Sequence, residues 1–143
     1  MNDRLKQLYQ KVILQESKAP YNYEKKPEAT KVIEANNPVC GDRFTLYLEV
    51  EDDTIRSAHF YGHGCAISKA STSILTRHLE GKPLSAIPTL SAQMLRVADP
   101  QADISDLSED LQAFEAARFF PERSSCATLS WEAVGRFGDF ERV

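Results

Sequence analysis

The chain has 143 residues, 42% hydrophobic and 27% charged, which is typical of a globular protein rather than a disordered one. A net charge of −4 without any basic run argues against nucleic acid as a partner, because phosphate binding depends on clustered lysine and arginine. No stretch approaches the roughly 20 apolar residues of a membrane span, and no apolar signal segment is present. We therefore expect a cytoplasmic protein, not bound to a membrane, whose residues 1–143 form a single domain.

The first 35 residues predict a helix followed by a strand. Asp3 can cap the helix, which should end before Pro20. Its apolar residues recur at helical spacing: Leu5, Leu8, Tyr9, Val12 and Ile13. Residues 20–29 are rich in proline and charge and indicate an irregular connector, and residues 31–35 predict a short strand.

Residues 42–61 predict an antiparallel hairpin. Apolar and polar residues alternate over residues 42–50, residues 51–54 form a polar turn, and residues 55–61 return as a second strand. Cys40 precedes the hairpin and Cys65 follows it. Because the start of one strand and the end of the next meet at the same edge, we expect these two cysteines to lie close together.

The remainder of the chain predicts helices only. One begins after Gly64, with Cys65 at its N-terminus, and ends near Gly81. Residues 82–106 suggest short helices and turns, and residues 107–120 another helix that Pro121 terminates. The last helix should begin near residues 124–125, with Cys126 in its first turn. This order of elements indicates an α+β fold, with a three-stranded antiparallel sheet packed against an N-terminal helix and several C-terminal helices.

Three separated cysteines are the strongest chemical signal. An odd number cannot pair completely within one chain, and cytosolic thiols stay reduced, so at least one is free, metal-bound or reactive. The positive end of a helix favours the thiolate, which would apply to Cys65 and Cys126. Asp42 lies two residues after Cys40 and could add a carboxylate to form an S3O zinc site. On spacing alone, however, scattered cysteines more often serve as small core residues.

Three local motifs carry a resemblance across nearly the whole chain. They are Asn37-Pro38-x-Cys40-Gly41-Asp42, Gly62-x-Gly64-Cys65-x-Ile67-Ser68-x-Ala70-Ser71-x-Ser73, and Phe120-Pro121-x-Arg123-x-x-Cys126-Ala127-Thr128-Leu129-Ser130-Trp131. In this order they resemble the SufU-type and IscU-type family of iron–sulfur cluster assembly proteins, which share the NifU N-terminal domain. The long segment between the second and third cysteines resembles the SufU-type branch. That segment also lacks the Leu-Pro-Pro-Val-Lys motif of bacterial scaffolds, and Ser125 replaces their histidine.

The resemblance implies a zinc-dependent sulfur acceptor. Cys40, Asp42, Cys65 and Cys126 match the zinc ligands, and Cys40 matches the cysteine that receives persulfide sulfur. The donor would be a pyridoxal-phosphate cysteine desulfurase of SufS type, and the recipient a downstream iron–sulfur scaffold. Arg123 matches an arginine that could stabilise a persulfide anion or meet the desulfurase. The alternative is a scaffold on which the same cysteines hold a [2Fe–2S] cluster.

Three residues near these motifs have simpler interpretations. Ser125, often lysine in SufU-like members, is expected to cap the last helix. Arg123 is equally consistent with a solvated charge. His63 could compete as a metal ligand or carry protons, although an exposed loop histidine more often does neither.

Overall fold

The computed structural model describes residues 3–38 and 41–141, with side chains up to residue 137. An N-terminal helical segment comes first. It consists of α1 (Asp3–Leu8), a π-helical part (Tyr9–Leu14) and α2 (Gln15–Lys18), so the predicted end before Pro20 is confirmed. The wider π turn was not predicted. It suits the five-residue interval between Leu8 and Ile13, which are both buried.

The three strands form one antiparallel sheet in the order β1-β2-β3, as the sequence predicted. They are β1 (Lys31–Asn37), β2 (Asp42–Glu51) and β3 (Thr54–His63). A two-residue turn joins β2 to β3, and both of its residues, Asp52 and Asp53, have positive φ, as a type I′ hairpin turn requires. The pairing places the start of β2 and the end of β3 at the same edge of the sheet.

The inner face of the sheet packs against the helices. Phe44, Leu46 and Leu48 alternate along β2 and are almost completely buried, as the alternation predicted. Tyr47 belongs to the opposite face, yet it is also buried. Residues 25–29 of the connector line a cavity together with Tyr47, so this part of the outer face is covered.

Four helices follow the sheet within the described residues. They are α3 (Ala66–Leu79), α4 (Ile87–Ala98), α5 (Glu109–Gln112) and α6 (Pro121–Glu141). The interpretation of residues 82–106 as short pieces was wrong for the 12-residue α4. Pro88 lies in the first turn of that helix, where a missing N–H costs nothing, so it does not break the helix. None of these described helices combines the length and hydropathy that a membrane crossing requires.

Two further boundaries differ from the prediction. The segment before Pro121 is not one helix but α5 and a separate 3₁₀ turn, Glu115–Phe119. The helix α6 begins at Pro121 itself rather than at residues 124–125. Proline is compatible with the first helical position, so the residue that ends one element here also begins the next.

A side-chain pair joins α3 to α5. His78 Nε2 lies 2.8 Å from Asp110 Oδ2. Burial raises the pKa of Asp110, but hydrogen bonds from His78 and Ser108 more than offset this and leave the pKa below its ordinary value. The folded protein therefore favours the ionised carboxyl, and the pair stabilises the position of α5.

The stability conferred by this carboxylate should depend on pH. Because the folded state lowers the pKa of Asp110, its contribution is full above the ordinary pKa of about 3.9 and disappears as the pH falls through the folded-state pKa. We expect Asp110→Asn to be less stable than the wild type near neutral pH, with the difference shrinking at lower pH. Urea unfolding of the metal-free proteins at several pH values measures this; a difference that stays constant with pH would contradict it.

Candidate metal centre

Three of the four expected ligands meet at one point. Asp42 is the first residue of β2, Cys65 precedes α3, and Cys126 lies on α6. One carboxylate oxygen and the two sulfur atoms all lie within 4.8 Å of one another. Residues distant in sequence are thus brought within reach of a single ion. Cys40, the fourth expected ligand, lies outside the described residues.

Asp42 presents a buried carboxylate with one free oxygen. The residue is only 4% exposed, and its Oδ1 accepts a hydrogen bond from the Cys65 N–H at 3.3 Å. Within the described part of the chain, the buried Oδ2 has no hydrogen-bond partner. A buried carboxylate oxygen without a partner is unfavourable unless a cation is near. This orphaned oxygen fits the donor set of a metal site.

Cys65 caps the N-terminus of α3, as the sequence predicted. Its Sγ accepts a hydrogen bond from the Ser68 N–H at 3.4 Å, and the Ser68 hydroxyl donates to the Cys65 carbonyl at 3.1 Å. Ser68 is buried, whereas Cys65 is exposed. The sulfur is therefore accessible but held in place by the first turn of the helix.

Cys126 differs from its prediction. It is the sixth residue of α6, not in the first turn, because α6 begins at Pro121. The residue is buried. Burial raises the pKa of the Cys126 thiol, and the neighbouring Asp42 carboxylate and Cys65 raise it further. The expected lowering by the helix N-terminus was wrong for this residue, and a coordinated cation would be needed to ionise the thiol.

Glycine at position 64 is required by space. A Cβ placed there would lie 2.8 Å from Phe44 Cε2 and 2.9 Å from Asp42 Oδ1, and closer still to Ser68 Oγ. Gly81, by contrast, has a φ of +81° and no atom within 4 Å of an added Cβ. The first glycine permits close packing beside the site, and the second permits a left-handed turn.

We expect Gly64→Ala to weaken the binding of a metal ion at this centre at least about tenfold, because its methyl group would displace the Asp42 carboxylate. Overpacking should also destabilise the protein by about 1–3 kcal/mol. Gly81→Ala is the matched control. Its left-handed backbone should lower the free energy of unfolding by a similar amount, about 1–2 kcal/mol, and leave the metal affinity unchanged. Urea unfolding and zinc competition titrations would measure both effects; equal zinc affinities in the two variants would contradict the prediction.

Arg123 lines an apolar groove. The residue is exposed and is one turn before Cys126 on α6. The groove has a volume of about 740 Å³ and runs between the N-terminal helical segment and the start of α6. Its wall includes Phe119 and Phe120, which are 62% and 52% exposed. The exposure of these two phenylalanines was not predicted. The available signal was their position in the sequence, as adjacent aromatic residues directly before Pro121.

Ser125 and His63 lie beside the centre without joining it. The prediction that Ser125 caps α6 was wrong. Ser125 lies inside the helix, and its hydroxyl donates to the Glu122 carbonyl at 2.9 Å. His63 is exposed, and its ring packs edge-on against Tyr61 at a centroid distance of 5.9 Å. It is not in the cluster formed by the described ligand atoms.

Hydroxyl groups on α3, which were not predicted, support the centre. Ser68 contacts Cys65, and Ser71 accepts a hydrogen bond from the Trp131 indole N–H at 2.8 Å. A signal was present in the sequence, since residues 68–76 contain five hydroxyl side chains on a helix otherwise predicted to face the core. Hydroxyl groups at such positions must find hydrogen-bond partners inside the protein.

Comparison with known proteins relates the chain to one family. Residues 8–127 match the family model described as NifU-like N terminal domain. The chain is 36% identical to the "Zinc-dependent sulfurtransferase SufU" of Bacillus subtilis, over 93% of this chain and 90% of the relative. It is also 31% identical to the "Iron-sulfur cluster assembly scaffold protein IscU" of Streptococcus pyogenes, over 92% of this chain and 82% of the relative.

Solved structures agree with this relationship. A SufU from Fervidobacterium islandicum, described as an iron–sulfur cluster assembly scaffold protein for the SUF system, has a TM-score of 0.73 at 30% identity, covering 90% of this chain and 94% of that one. A NifU-like protein from Brucella abortus has a TM-score of 0.81 at 20% identity, covering 99% of this chain and 100% of that one, and supports the fold alone. The α+β fold is the one predicted from sequence. By sequence and by structure, the chain belongs to the NifU-like N-terminal domain family, which includes SufU and IscU proteins.

Proposed function

We propose that this protein is a zinc-dependent sulfur acceptor. It takes persulfide sulfur from a pyridoxal-phosphate cysteine desulfurase through Cys40 and passes it to an iron–sulfur scaffold. The observation that carries the proposal is the cluster of Asp42, Cys65 and Cys126, whose ligand atoms lie within 4.8 Å of one another. The relative named as a zinc-dependent sulfurtransferase, which matches over 93% of this chain, supports the same function.

The donor set fits zinc. Two sulfurs and a carboxylate oxygen are ligands that zinc accepts in tetrahedral sites, and Cys40 would complete the four. The unpartnered Oδ2 of Asp42 independently favours a cation at this point. When bound, zinc would supply a redox-inactive cation that keeps the coordinating thiols ionised and protected between turnovers.

The described residues favour different roles for the cysteines, with two as permanent metal ligands and Cys40 as the sulfur acceptor. Cys126 is buried and Cys65 is held by the Ser68 N–H, so both suit permanent ligands. In our proposal the Cys40 thiolate attacks the outer sulfur of the desulfurase persulfide. The S–S bond of the donor breaks, a new S–S bond forms on Cys40, and the desulfurase cysteine leaves as a thiolate, so no oxidant or reductant is consumed.

Arg123 is proposed to assist this exchange from the surface. It is exposed and lies on the same helix as Cys126, three residues before it. Nothing in the described residues forms an ion pair with its guanidinium, which therefore remains available for a persulfide anion or a carboxylate of the desulfurase.

A scaffold for a [2Fe–2S] cluster is the second candidate. The observation that favours it is the similarity to relatives named as IscU scaffold proteins, including 29% identity to that of Thermotoga maritima over 90% of this chain and 91% of the relative. The same cysteines could act as cluster ligands. Transfer of a coloured cluster to an apo-protein would identify this function.

The metal content and the reaction with a desulfurase distinguish the two functions. We expect protein purified without added metal to contain zinc, to stimulate a cysteine desulfurase, and to gain one sulfur atom on Cys40 by intact mass and peptide mapping. Protein pretreated with a thiol-blocking reagent is the control and should gain none. An iron-bearing, zinc-free product that does not stimulate the desulfurase would rule out the sulfur acceptor.

A further inference from the structure

The helix α3 is unusually polar for a buried element. Five residues between positions 68 and 76 carry hydroxyl groups, and all are between 0% and 1% exposed: Ser68, Ser71, Thr72, Ser73 and Thr76. A buried hydroxyl is unfavourable without hydrogen bonds, and apolar side chains would pack a helix interface at lower cost. The partners of these hydroxyls therefore indicate what the polarity achieves.

Two of the hydroxyls connect α3 to α6. Ser71 Oγ donates to the Ala127 carbonyl at 2.5 Å and accepts from Trp131 Nε1 at 2.8 Å. The hydroxyl oxygens of Thr72 and Ser130 lie 2.7 Å apart, and both residues are buried. We refer to Ser71, Thr72, Ser130 and Trp131 as the hydroxyl clasp.

The hydroxyl clasp lies on the same helix faces as two expected ligands. Thr72 follows Cys65 by seven residues, or two turns, and Ser130 follows Cys126 by four residues, or one turn. Ala127, whose carbonyl accepts from the clasp, is adjacent to Cys126. Cys65, at the N-cap of α3, and Cys126, within α6, are thus each followed on their helix by one part of the clasp.

Directional hydrogen bonds constrain helices in a way that apolar contacts do not. Apolar side chains tolerate small sliding and rotation, whereas a hydroxyl pair at 2.7 Å admits only a narrow range of helix positions. A metal site needs its ligands within about 0.5 Å of the productive geometry. Sliding of α6 along α3 would move Cys126 Sγ relative to Cys65 Sγ directly.

We propose that the hydroxyl clasp positions Cys65 and Cys126 for zinc, with Thr72 and Ser130 as positioning residues that do not touch the metal. The inference rests on the proposed function, because it takes these sulfurs as zinc ligands. Loss of the Thr72–Ser130 bond should weaken zinc binding and alter the ligand geometry even in a folded protein.

Two buried threonines of α3 provide a matched test. Thr72 and Thr76 each donate to the carbonyl four residues earlier at 2.8 Å, but of the two only Thr72 has a hydroxyl partner on α6 among the described residues, namely Ser130. Thr72→Val and Thr76→Val therefore make the same change in shape and remove the same intrahelical bond. Thr72→Ser keeps the hydroxyl and serves as the conservative rescue.

The measurements are zinc affinity, by competition with a chromophoric chelator, and the absorption spectrum of the Co²⁺-substituted protein. We expect Thr72→Val to bind zinc about 10- to 100-fold more weakly, with shifted d–d bands. Thr76→Val and Thr72→Ser should resemble the wild type. Equal affinities and spectra for the two valine variants would overturn the proposal.

Ser130→Ala removes the same bond from the other helix and is the alternative if Thr72→Val does not fold. It should reproduce the loss of affinity, and combining the two substitutions should add little, because both remove one interaction. Additive effects would overturn the proposal.

The Co²⁺ spectrum separates failure of the clasp from failure of the proposed function. If the wild type with Co²⁺ lacks thiolate charge-transfer bands, the proposed zinc function is wrong. If those bands are present but unchanged by both substitutions, only the proposal about the clasp is wrong.

Discussion

Replacing Asp42 with alanine is expected to remove most of the stabilisation that bound zinc would give the protein. The substitution deletes the carboxylate whose Oδ2 is buried and without a hydrogen-bond partner among the described residues. A ligand present at 1,000 times its dissociation constant stabilises the folded state by about 4 kcal/mol. Under conditions that give this effect in the wild type, Asp42→Ala should show little increase in melting temperature on adding zinc.

The metal-free proteins should behave differently. Without a cation, the buried Oδ2 of Asp42 has no hydrogen-bond partner among the described residues, and removing the side chain relieves the cost of that burial. In the presence of a chelator, Asp42→Ala should therefore be about as stable as the wild type. The one loss to set against this gain is the hydrogen bond that the Cys65 N–H donates to Asp42 Oδ1. Thermal unfolding with zinc and with chelator measures both effects.

Asp42→Asn separates charge from shape. The amide oxygen can still accept the hydrogen bond from the Cys65 N–H, but the side chain is neutral and a poor zinc ligand. We expect it to lose the zinc response as Asp42→Ala does. A wild-type increase in melting temperature in either variant would show that Asp42 does not bind the metal.

Substitution of Cys40 by serine should abolish sulfur acceptance from a cysteine desulfurase. The reason lies in the other two cysteines, since Cys126 is buried and the sulfur of Cys65 is held by the Ser68 N–H. Neither is arranged to replace Cys40 as the nucleophile. Intact mass of the protein after reaction with desulfurase and L-cysteine would measure the added sulfur.

Ser125→Ala is a suitable control for this experiment. Ser125 is exposed, and its hydroxyl donates to the Glu122 carbonyl within α6, so its loss should leave sulfur acceptance at the wild-type level. Retention of a sulfur adduct by Cys40→Ser, mapped to Cys65 or Cys126, would reassign the acceptor.

Much of the sheet could be predicted because its signals are local. The alternation of Phe44, Leu46 and Leu48 with polar residues identifies β2 and its buried face. The polar turn between the strands predicts the hairpin, but a bulge between Glu49 and Val50 shifts the register of the rest of the pair, and the turn does not predict this shift. The N-terminal position of Cys65 on α3 could also be predicted, since Gly64 separates it from the end of β3 at His63.

The errors arose where proline has two possible roles. The sequence predicts that Pro121 ends one helix, whereas in the structure it is the first residue of α6. Pro88 similarly lies in the first turn of α4 rather than between short pieces. A proline ring fits the first helical turn and the end of a preceding element equally well, so the local sequence does not distinguish these cases.

The sequence alone determined the residue types of the candidate centre, because Asp42, Cys65 and Cys126 lie in recognisable motifs whose chemistry suits a metal. Only the tertiary structure decided that their ligand atoms lie within 4.8 Å, that Cys126 is buried, and that one oxygen of Asp42 is left without a partner. These properties depend on how α6 packs on α3 and against the edge of the sheet. Such packing joins Cys126 to residues 61 and 84 positions earlier in the chain, and no local pattern encodes a distance of that kind.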